Sequence, residues 1–187
     1  MKIIIIGNEG YIGPILSKRI KKYYNNSLLA GFDIGYFAHL NNSDELPERY
    51  LDVQYRGDVR DFPMDILTDF DAVVYLAAIS NDPMGNQFED VTYEVNQKSA
   101  IRVAEYCKKN GIKNFIYASS CSVYGFADDK PRVESSELNP LTAYAKSKVN
   151  TEKSLKKLAS NNFRITALRF ATACGFSPRL RLDLVLN

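Results

Sequence analysis

The sequence opens with Lys2-Ile3-Ile4-Ile5-Ile6-Gly7-Asn8-Glu9-Gly10-Tyr11-Ile12-Gly13, and this stretch decides the fold. Its four consecutive isoleucines are typical of a short strand that is buried on both faces. Three glycines follow at a spacing of three, and the pattern then becomes helical. A glycine-rich turn between a buried strand and a helix predicts the first βα unit of a parallel sheet.

Apolar runs and helical patterns alternate along the rest of the chain. We predict helices at residues 11–23, 93–110 and 141–160, and strands at residues 2–6, 28–33, 52–55, 72–76, 114–118 and 165–169. Because the apolar runs are continuous rather than alternating, we expect both faces of the sheet to be buried. The predicted fold class is α/β, a doubly wound parallel sheet of the Rossmann type with strand order 3-2-1-4-5-6.

Composition excludes several classes of protein. The chain has 187 residues, of which 45% are hydrophobic and 25% charged, and this is ordinary for one globular domain. A formal net charge of +2 is too small for nucleic-acid binding, and no apolar run is long enough for a membrane span. Three unpaired cysteines and one histidine offer no metal cluster, so we expect a cytoplasmic protein without a metal.

The three glycines have a specific physical use after a strand. Gly7 and Gly10 let the backbone turn tightly and approach a pyrophosphate at the N-terminus of the following helix, while Gly13 permits close packing of helix and strand. An acidic residue, Asp33, stands twenty residues beyond Gly13 at the end of the second predicted strand. This context predicts a dinucleotide site; the alternative is that the glycines serve only the turn.

Asp33 also bears on which dinucleotide is bound. Its carboxylate would accept hydrogen bonds from ribose hydroxyls, whereas a 2′-phosphate would meet like charge. No Arg or Lys occurs in the fifteen residues after Asp33 to bind such a phosphate. The pattern therefore favours NAD over NADP.

Other residues follow the third and fourth strands, at the edge where parallel sheets bind ligands. Asp58 and Val59 come after the third strand, and Leu76-Ala77-Ala78 completes the fourth. The alternative for Asp58 is a turn or cap residue.

A catalytic candidate lies in the last predicted helix. Lys148 follows Tyr144 by four positions, so the two side chains share one helix face. A nearby ammonium should lower the pKa of a tyrosine from about 10 towards the range of a general base. A Tyr-x-x-x-Lys spacing alone is common on surface helices. Here, however, the polar cluster Ser119-Ser120-Cys121-Ser122-Val123-Tyr124-Gly125 ends the fifth strand and faces the same edge.

In this order, these motifs resemble the extended short-chain dehydrogenase/reductases, specifically the NAD-dependent nucleotide-sugar epimerase/dehydratase family. The resemblance implies that Tyr144 is the catalytic base, that Lys148 holds the nicotinamide ribose, and that Ser120 bonds the reacting sugar hydroxyl. It also implies an NAD site lined by Gly7, Gly10, Tyr11, Ile12, Gly13, Asp33, Asp58, Val59, Leu76, Ala77, Ala78, Tyr144 and Lys148. The implied activity is oxidation of a sugar hydroxyl to a transient keto group, with a nucleotide sugar as substrate.

Three positions depart from that family. Cys121 and Ser122 stand where dehydratases carry an acidic pair, which disfavours dehydration and leaves epimerisation or reduction of a keto sugar. Thr172 stands where the family often has Asn.

An alternative function of another class is that of an NAD-binding protein or fragment without catalysis.

The pattern changes after residue 175. We assign residues 1–175 to the NAD-binding domain and residues 176–187 to the start of a truncated substrate-domain segment. The run from Arg179 to Leu186 contains four leucines and a valine, which need an apolar partner. We therefore expect the chain to form a homodimer or to self-associate, or its tail to be disordered, with little turnover by this chain alone.

Overall fold

The computed structural model describes residues 1–80, 82–126 and 130–181. Their backbone forms one six-stranded sheet in the order β3-β2-β1-β4-β5-β6, and all of its strand pairs are parallel. The strands are β1 Lys2–Ile6, β2 Leu28–Asp33, β3 Val53–Arg56, β4 Ala72–Tyr75, β5 Asn114–Ser120 and β6 Arg164–Phe170. The predicted fold class and strand order are confirmed.

Five α-helices connect the described strands: α1 Gly13–Tyr23, α2 Asp82–Gln87, α3 Glu89–Tyr93, α4 Ser99–Lys109 and α5 Ala143–Leu158. A single π-helical turn, Glu94–Lys98, joins α3 to α4, so the predicted helix at 93–110 starts earlier and is not uniform. Thr142 caps α5 by accepting a hydrogen bond from the Ala145 amide at 3.1 Å. Short 3₁₀ helices lie at Pro47–Tyr50, Val59–Asp61, Met64–Asp69 and Cys121–Tyr124.

Within the described residues, we find no helix with the length and apolarity needed to cross a bilayer.

The core divides between the two faces of the sheet. On one face, side chains of the central strands such as Ile4, Val73 and Phe115 pack against α4 and the C-terminal part of α5, including Val103 and Leu155. The other face is smaller and packs Ile3, Ile5, Leu29, Ala72 and Val74 against α1. The isoleucines of β1 thus alternate between two cores, which explains why the run is apolar without a break.

Both edge strands are less buried than the sequence predicts. β3 has no fully buried residue, and β6 is mostly exposed. On the α1 side of β6, Leu168 and Phe170 line an open cavity of about 530 Å³ together with Ile116 of β5. The expectation that every strand is buried on both faces is therefore wrong for these two, because α1 covers only the centre of the sheet.

The turn after β1 is constrained by its neighbour β4. Gly7 has a φ of +90°, and a Cβ atom at this position would lie 2.4 Å from the Ala77 nitrogen. The Gly7 amide donates to the Phe32 carbonyl at 2.8 Å, and the Ala77 amide donates to the Ile6 carbonyl at 2.9 Å. The turn is therefore locked between the ends of β2 and β4, with no room for a side chain.

We expect Gly7→Ala to lower the free energy of unfolding by about 3 kcal/mol or more, because the methyl group adds a backbone clash to an unfavourable φ. Gly111→Ala is the matched control, since Gly111 has a φ of +76° but a Cβ added there would have no atom within 4 Å. The control should cost only the left-handed conformation, about 1 kcal/mol. Urea unfolding of both variants measures the difference; equal losses would show that the clash contributes nothing.

Candidate functional site

The glycine turn presents its backbone at the carboxyl edge of the sheet. The Gly10 amide donates to the Gly7 carbonyl at 3.4 Å, and α1 begins at Gly13 with Pro14 in its first turn. Ile12 precedes the helix, and its side chain does not cap the first turn of α1. A Cβ on Gly13 would lie 2.0 Å from the Asn8 carbonyl oxygen, so the close packing predicted for this glycine is present. The start of α1 therefore leaves its positive dipole end for an anion.

Asp33 ends β2 beside this turn. Its Oδ2 accepts a hydrogen bond from the Glu9 amide at 2.9 Å, and its Oδ1 accepts one from the Gly35 amide at 2.8 Å. Two backbone donors thus fix the carboxylate at the sheet edge in one orientation. Its remaining lone pairs can accept hydrogen bonds from a diol.

A cation that the local sequence did not reveal lies next to Asp33. Arg56 ends β3 and is the register partner of Asp33 in the parallel pair β2–β3. Its guanidinium donates to the Glu9 carboxylate. Arg56 lies 23 positions after Asp33 in the sequence, and only the pairing of β2 with β3 brings the two residues together.

Asp58 and Val59 follow β3. Asp58 accepts hydrogen bonds from the amide of Arg60 at 2.8 Å and from its guanidinium, which hold the pKa of the Asp58 carboxyl below its usual value. Asp58 thus acts as the cap that the sequence left as an alternative, and Val59 is buried beneath it. Cofactor contacts of these two residues stay a prediction.

The segment after β4 lies at the same edge as the glycine turn. The amides of Leu76 and Ala77 both donate to the Ile6 carbonyl, at 2.7 and 2.9 Å. Ala78 follows directly and is half-buried. The structure therefore brings this segment beside the turn, as the sequence predicts.

Ser120, Tyr144 and Lys148 come together from β5 and α5. The Ser120 hydroxyl lies close enough to the Tyr144 phenol to lower the pKa of Tyr144. The Lys148 Nζ lies 5.5 Å from the centroid of the Tyr144 ring and donates to the Ala118 carbonyl at 2.7 Å. The same nitrogen lies 4.8 Å from the centroid of the Tyr117 ring. The two polar segments singled out in the sequence therefore form one site.

The protonation of Tyr144 differs from the expectation. Burial of the phenol raises the pKa of Tyr144, although the nearby Ser120 hydroxyl opposes this effect. Burial also lowers the pKa of Lys148 to about 7. The predicted lowering of the Tyr144 pKa by Lys148 is therefore wrong in this arrangement, because desolvation dominates both groups and the ammonium is directed at the Ala118 carbonyl.

Asn96 is a site residue that the sequence analysis missed. It lies in the π-helical turn before α4, is completely buried, and holds both backbone groups of Ile79 with its amide, at 2.8 and 2.9 Å. Its Nδ2 also lies 3.3 Å from the Ser147 hydroxyl, between Tyr144 and Lys148 on α5. The available signal was weak: an asparagine inside a helical pattern, with no spacing rule to single it out.

An ion pair between Glu152 and Arg169 joins the elements that carry Ser120 and Lys148. Glu152, one turn after Lys148, accepts hydrogen bonds from Arg169 of β6 at 2.6 and 3.1 Å and from the Ser119 hydroxyl. Arg169 also donates to the Tyr124 hydroxyl at 2.8 Å. The pair therefore joins α5, β5, β6 and the loop after Ser120.

The segment after β6 runs back to the glycine turn. The Ser177 hydroxyl donates to the Tyr11 carbonyl at 2.7 Å, and the Tyr11 hydroxyl donates to the Gly175 carbonyl. Thr172 is exposed. The predicted boundary after residue 175 stays a prediction. Most of the leucine-rich run, residues 182–186, lies outside the described residues.

Comparison with known proteins gives a consistent result. The family described as "NAD dependent epimerase/dehydratase family" matches residues 3–183. A UDP-glucose 4-epimerase of Lactobacillus helveticus is 29% identical over 182 residues, covering 95% of this chain and 53% of that protein. UDP-arabinose 4-epimerase 1 of Arabidopsis thaliana is 28% identical, covering 96% of this chain and 45% of that protein.

Solved structures agree with the sequence matches. The UDP-glucuronic acid 4-epimerase of Bacillus cereus, in complex with UDP-glucuronic acid and NAD, superposes with a TM-score of 0.81 at 25% identity. The alignment covers 98% of this chain and 60% of the other. The chain thus spans about half the length of the relatives that it matches.

We expect Lys148→Met to stabilise the protein at pH 6.5 by about 1–3 kcal/mol, because it replaces a buried ammonium with an apolar side chain of similar length. The pKa of Lys148 falls from 10.5 to about 7 on folding, so between these values the unfolded chain binds more protons. The cost of burying the ammonium is full below pH 7 and decreases as the pH rises.

The gain measured by thermal unfolding should therefore be smaller at pH 9 than at pH 6.5. Lys146→Met is the matched control, an exposed lysine on the same helix, and should change little. A less stable Lys148→Met variant, or a gain independent of pH, would contradict this account.

Proposed function

Because the chain belongs to the NAD dependent epimerase/dehydratase family, we propose that it contributes the cofactor-binding and catalytic half of a nucleotide-sugar 4-epimerase. One observation carries the proposal: Ser120, Tyr144 and Lys148 lie close together at the edge of the sheet that also holds the glycine turn. A phenol, a hydroxyl and an amine that lie close together can take a proton from a sugar hydroxyl and return it. The substrate class is a nucleotide sugar, since relatives matched over most of this chain are named as UDP-sugar epimerases.

The residues at the sheet edge fit NAD. A Cβ on Gly10 would meet nothing closer than the Gly7 carbonyl oxygen at 3.6 Å, so a pyrophosphate can approach this backbone and the start of α1. Asp33 is fixed by two amides and offers its free lone pairs to the ribose hydroxyls. The Lys148 amine lies near the Tyr144 ring, where it can donate a hydrogen bond to the nicotinamide ribose of NAD. NAD, when bound, supplies the hydride acceptor and a positive charge.

Ser120, Tyr144 and Lys148 would then bind and transfer the proton of the sugar hydroxyl. The Ser120 hydroxyl would orient the sugar hydroxyl beside the Tyr144 phenol. Tyr144 needs positive charge nearby to lose its proton, because its burial raises the pKa. A Lys148 pKa of about 7 allows this lysine to carry that charge at neutral pH. Loss of the hydroxyl proton to Tyr144 and of hydride from the same carbon to the acceptor would leave a transient keto group on the sugar. Return of that hydride to the other face of the carbonyl, and of the proton to its oxygen, would invert the configuration.

Dehydration is less well supported than epimerisation. The two positions after Ser120 hold Cys121 and Ser122, and the Ser122 hydroxyl donates to the Ser120 oxygen at 2.9 Å. Neither side chain is a carboxylate that could remove water from a sugar. Reduction of a keto sugar is the second candidate, and it requires the same three residues.

The oligomeric state and compartment are further parts of the proposal. The open cavity beside β6 is lined by exposed apolar side chains, among them Leu168 and Phe170, which supports self-association as a homodimer. The three cysteines are free, with Cys107 buried and Cys121 and Cys174 exposed, which supports a reducing cytoplasm.

Mass spectrometry of small molecules released from the denatured protein tests the cofactor. Retained NAD supports an epimerase, which keeps its nicotinamide through the reaction. An empty site that binds NAD reversibly supports the reductase. An unsubstituted protein with no affinity for NAD would contradict both.

In a version of the protein that also carries a substrate-binding domain, we expect Tyr144→Phe to keep NAD but to lose more than nine-tenths of the turnover of UDP-sugars. The variant removes only the phenolic oxygen, and a tenfold loss corresponds to about 1.4 kcal/mol in the barrier. Tyr106→Phe is the matched control, a tyrosine on α4 that packs against the large core. Retention of more than a tenth of the rate by Tyr144→Phe would show that this tyrosine is not the base.

A further inference from the structure

The paired ends of β2 and β3 carry two residues that favour different cofactors. A carboxylate such as Asp33 favours the 2′-hydroxyl of NAD, whereas an arginine at the same place accommodates the 2′-phosphate of NADP. The parallel register sets Arg56 directly opposite Asp33. A Cβ on Gly35, two residues beyond Asp33, would lie 2.9 Å from Nη1 of Arg56, so the guanidinium lies over this turn. The position of Arg56 alone would therefore favour NADP.

Glu9 changes the charge that Arg56 presents. The Glu9 side chain is 0% exposed and binds the guanidinium, whereas the Arg56 side chain is 51% exposed. One Glu9 oxygen, Oε1, is buried and has no hydrogen-bond partner among the described residues. Burying a carboxylate with an unpaired oxygen is costly, so its ion pair with Arg56 is the contact that compensates the charge.

The other acids near Arg56 are committed elsewhere. Asp33 accepts two backbone hydrogen bonds, and Glu48 is ion-paired with the buried Arg179. Both still lower the potential at Arg56 through space. Glu9 is therefore the one of these three acids that bonds Arg56 directly, and it does so from inside the glycine turn.

We propose that Glu9 determines cofactor specificity by neutralising Arg56, so that a 2′-phosphate finds no uncompensated cation beside Asp33. The inference rests on the proposed binding of NAD at this edge. It assigns the discrimination to two residues, the repulsion by Asp33 and the neutralisation by Glu9. Burial raises the pKa of Glu9, but the hydrogen bond from Arg56 favours its charged form.

We expect the unsubstituted chain to bind NAD at least tenfold more tightly than NADP, and Glu9→Gln to reduce this ratio about tenfold. The glutamine has the shape of Glu9 but removes the one carboxylate that is bonded to Arg56. Isothermal titration with NAD and NADP measures both affinities at low and high salt. The change should be smaller at high salt, because a half-exposed guanidinium is screened.

Arg56→Ala supplies the control, made alone and together with Glu9→Gln. Alone it should not reduce the preference for NAD, and in the double variant it should abolish the effect of Glu9→Gln. A structural role of Glu9 would instead weaken the two cofactors equally and would not depend on Arg56. Glu9→Ala is the second variant, and thermal unfolding confirms that each protein is folded.

The outcomes separate this inference from the proposed function. If the unsubstituted chain binds NAD and both Glu9 variants leave the ratio unchanged, the inference is wrong and the proposed function stands. A reduced ratio that persists in the double variant would also overturn it. If the unsubstituted chain does not bind NAD, the proposed function fails first.

Discussion

One buried side-chain amide, that of Asn96, joins the segments that carry the candidate site. It pairs with both backbone groups of Ile79, as a neighbouring strand would, and so fixes the loop after β4. Its main-chain carbonyl accepts hydrogen bonds from the hydroxyls of Tyr117 on β5 and Thr151 on α5, at 3.3 and 3.2 Å. Loss of the Asn96 side-chain amide would leave the part-buried backbone groups of Ile79 without these partners. The π-helical turn that holds Asn96 is therefore part of the machinery that sets the distance between sheet and helix.

Much of the fold could be predicted because burial leaves a local mark on the sequence. The runs of β1 and β4 are apolar throughout, and the glycine turn has a spacing that only a close backbone approach requires. Arg56 and Asn96 could not be predicted in this way, because their roles arise from partners 47 and 17 residues away. The pKa of Tyr144 differs from the prediction for a related reason: spacing shows that Lys148 is near, but it does not show how deeply both groups are buried.

Helix α5 combines two opposed requirements on one surface. Leu155 packs in the large core and stabilises the fold, whereas Lys148 is 2% exposed and carries an amine whose charged form is disfavoured there. Glu152, one turn later, offsets part of that cost through its negative charge and anchors the helix to β6 through Arg169. Glu152 and Leu155 thus anchor to the sheet the same helix that carries Lys148.

Strand β6 is packed on one face only, so the free energy needed to open the sheet locally differs between β6 and the central strands. Seven residues of β6 pair with β5, and Phe163 at its start is buried in the large core, but the α1 side of the strand faces an open cavity. Amide protons of β1 are protected by strands on both sides and by two cores, whereas those of β6 depend on one neighbour and one core. Hydrogen exchange in β6 should therefore proceed by local detachment of the strand, while exchange in β1 requires unfolding of the whole sheet.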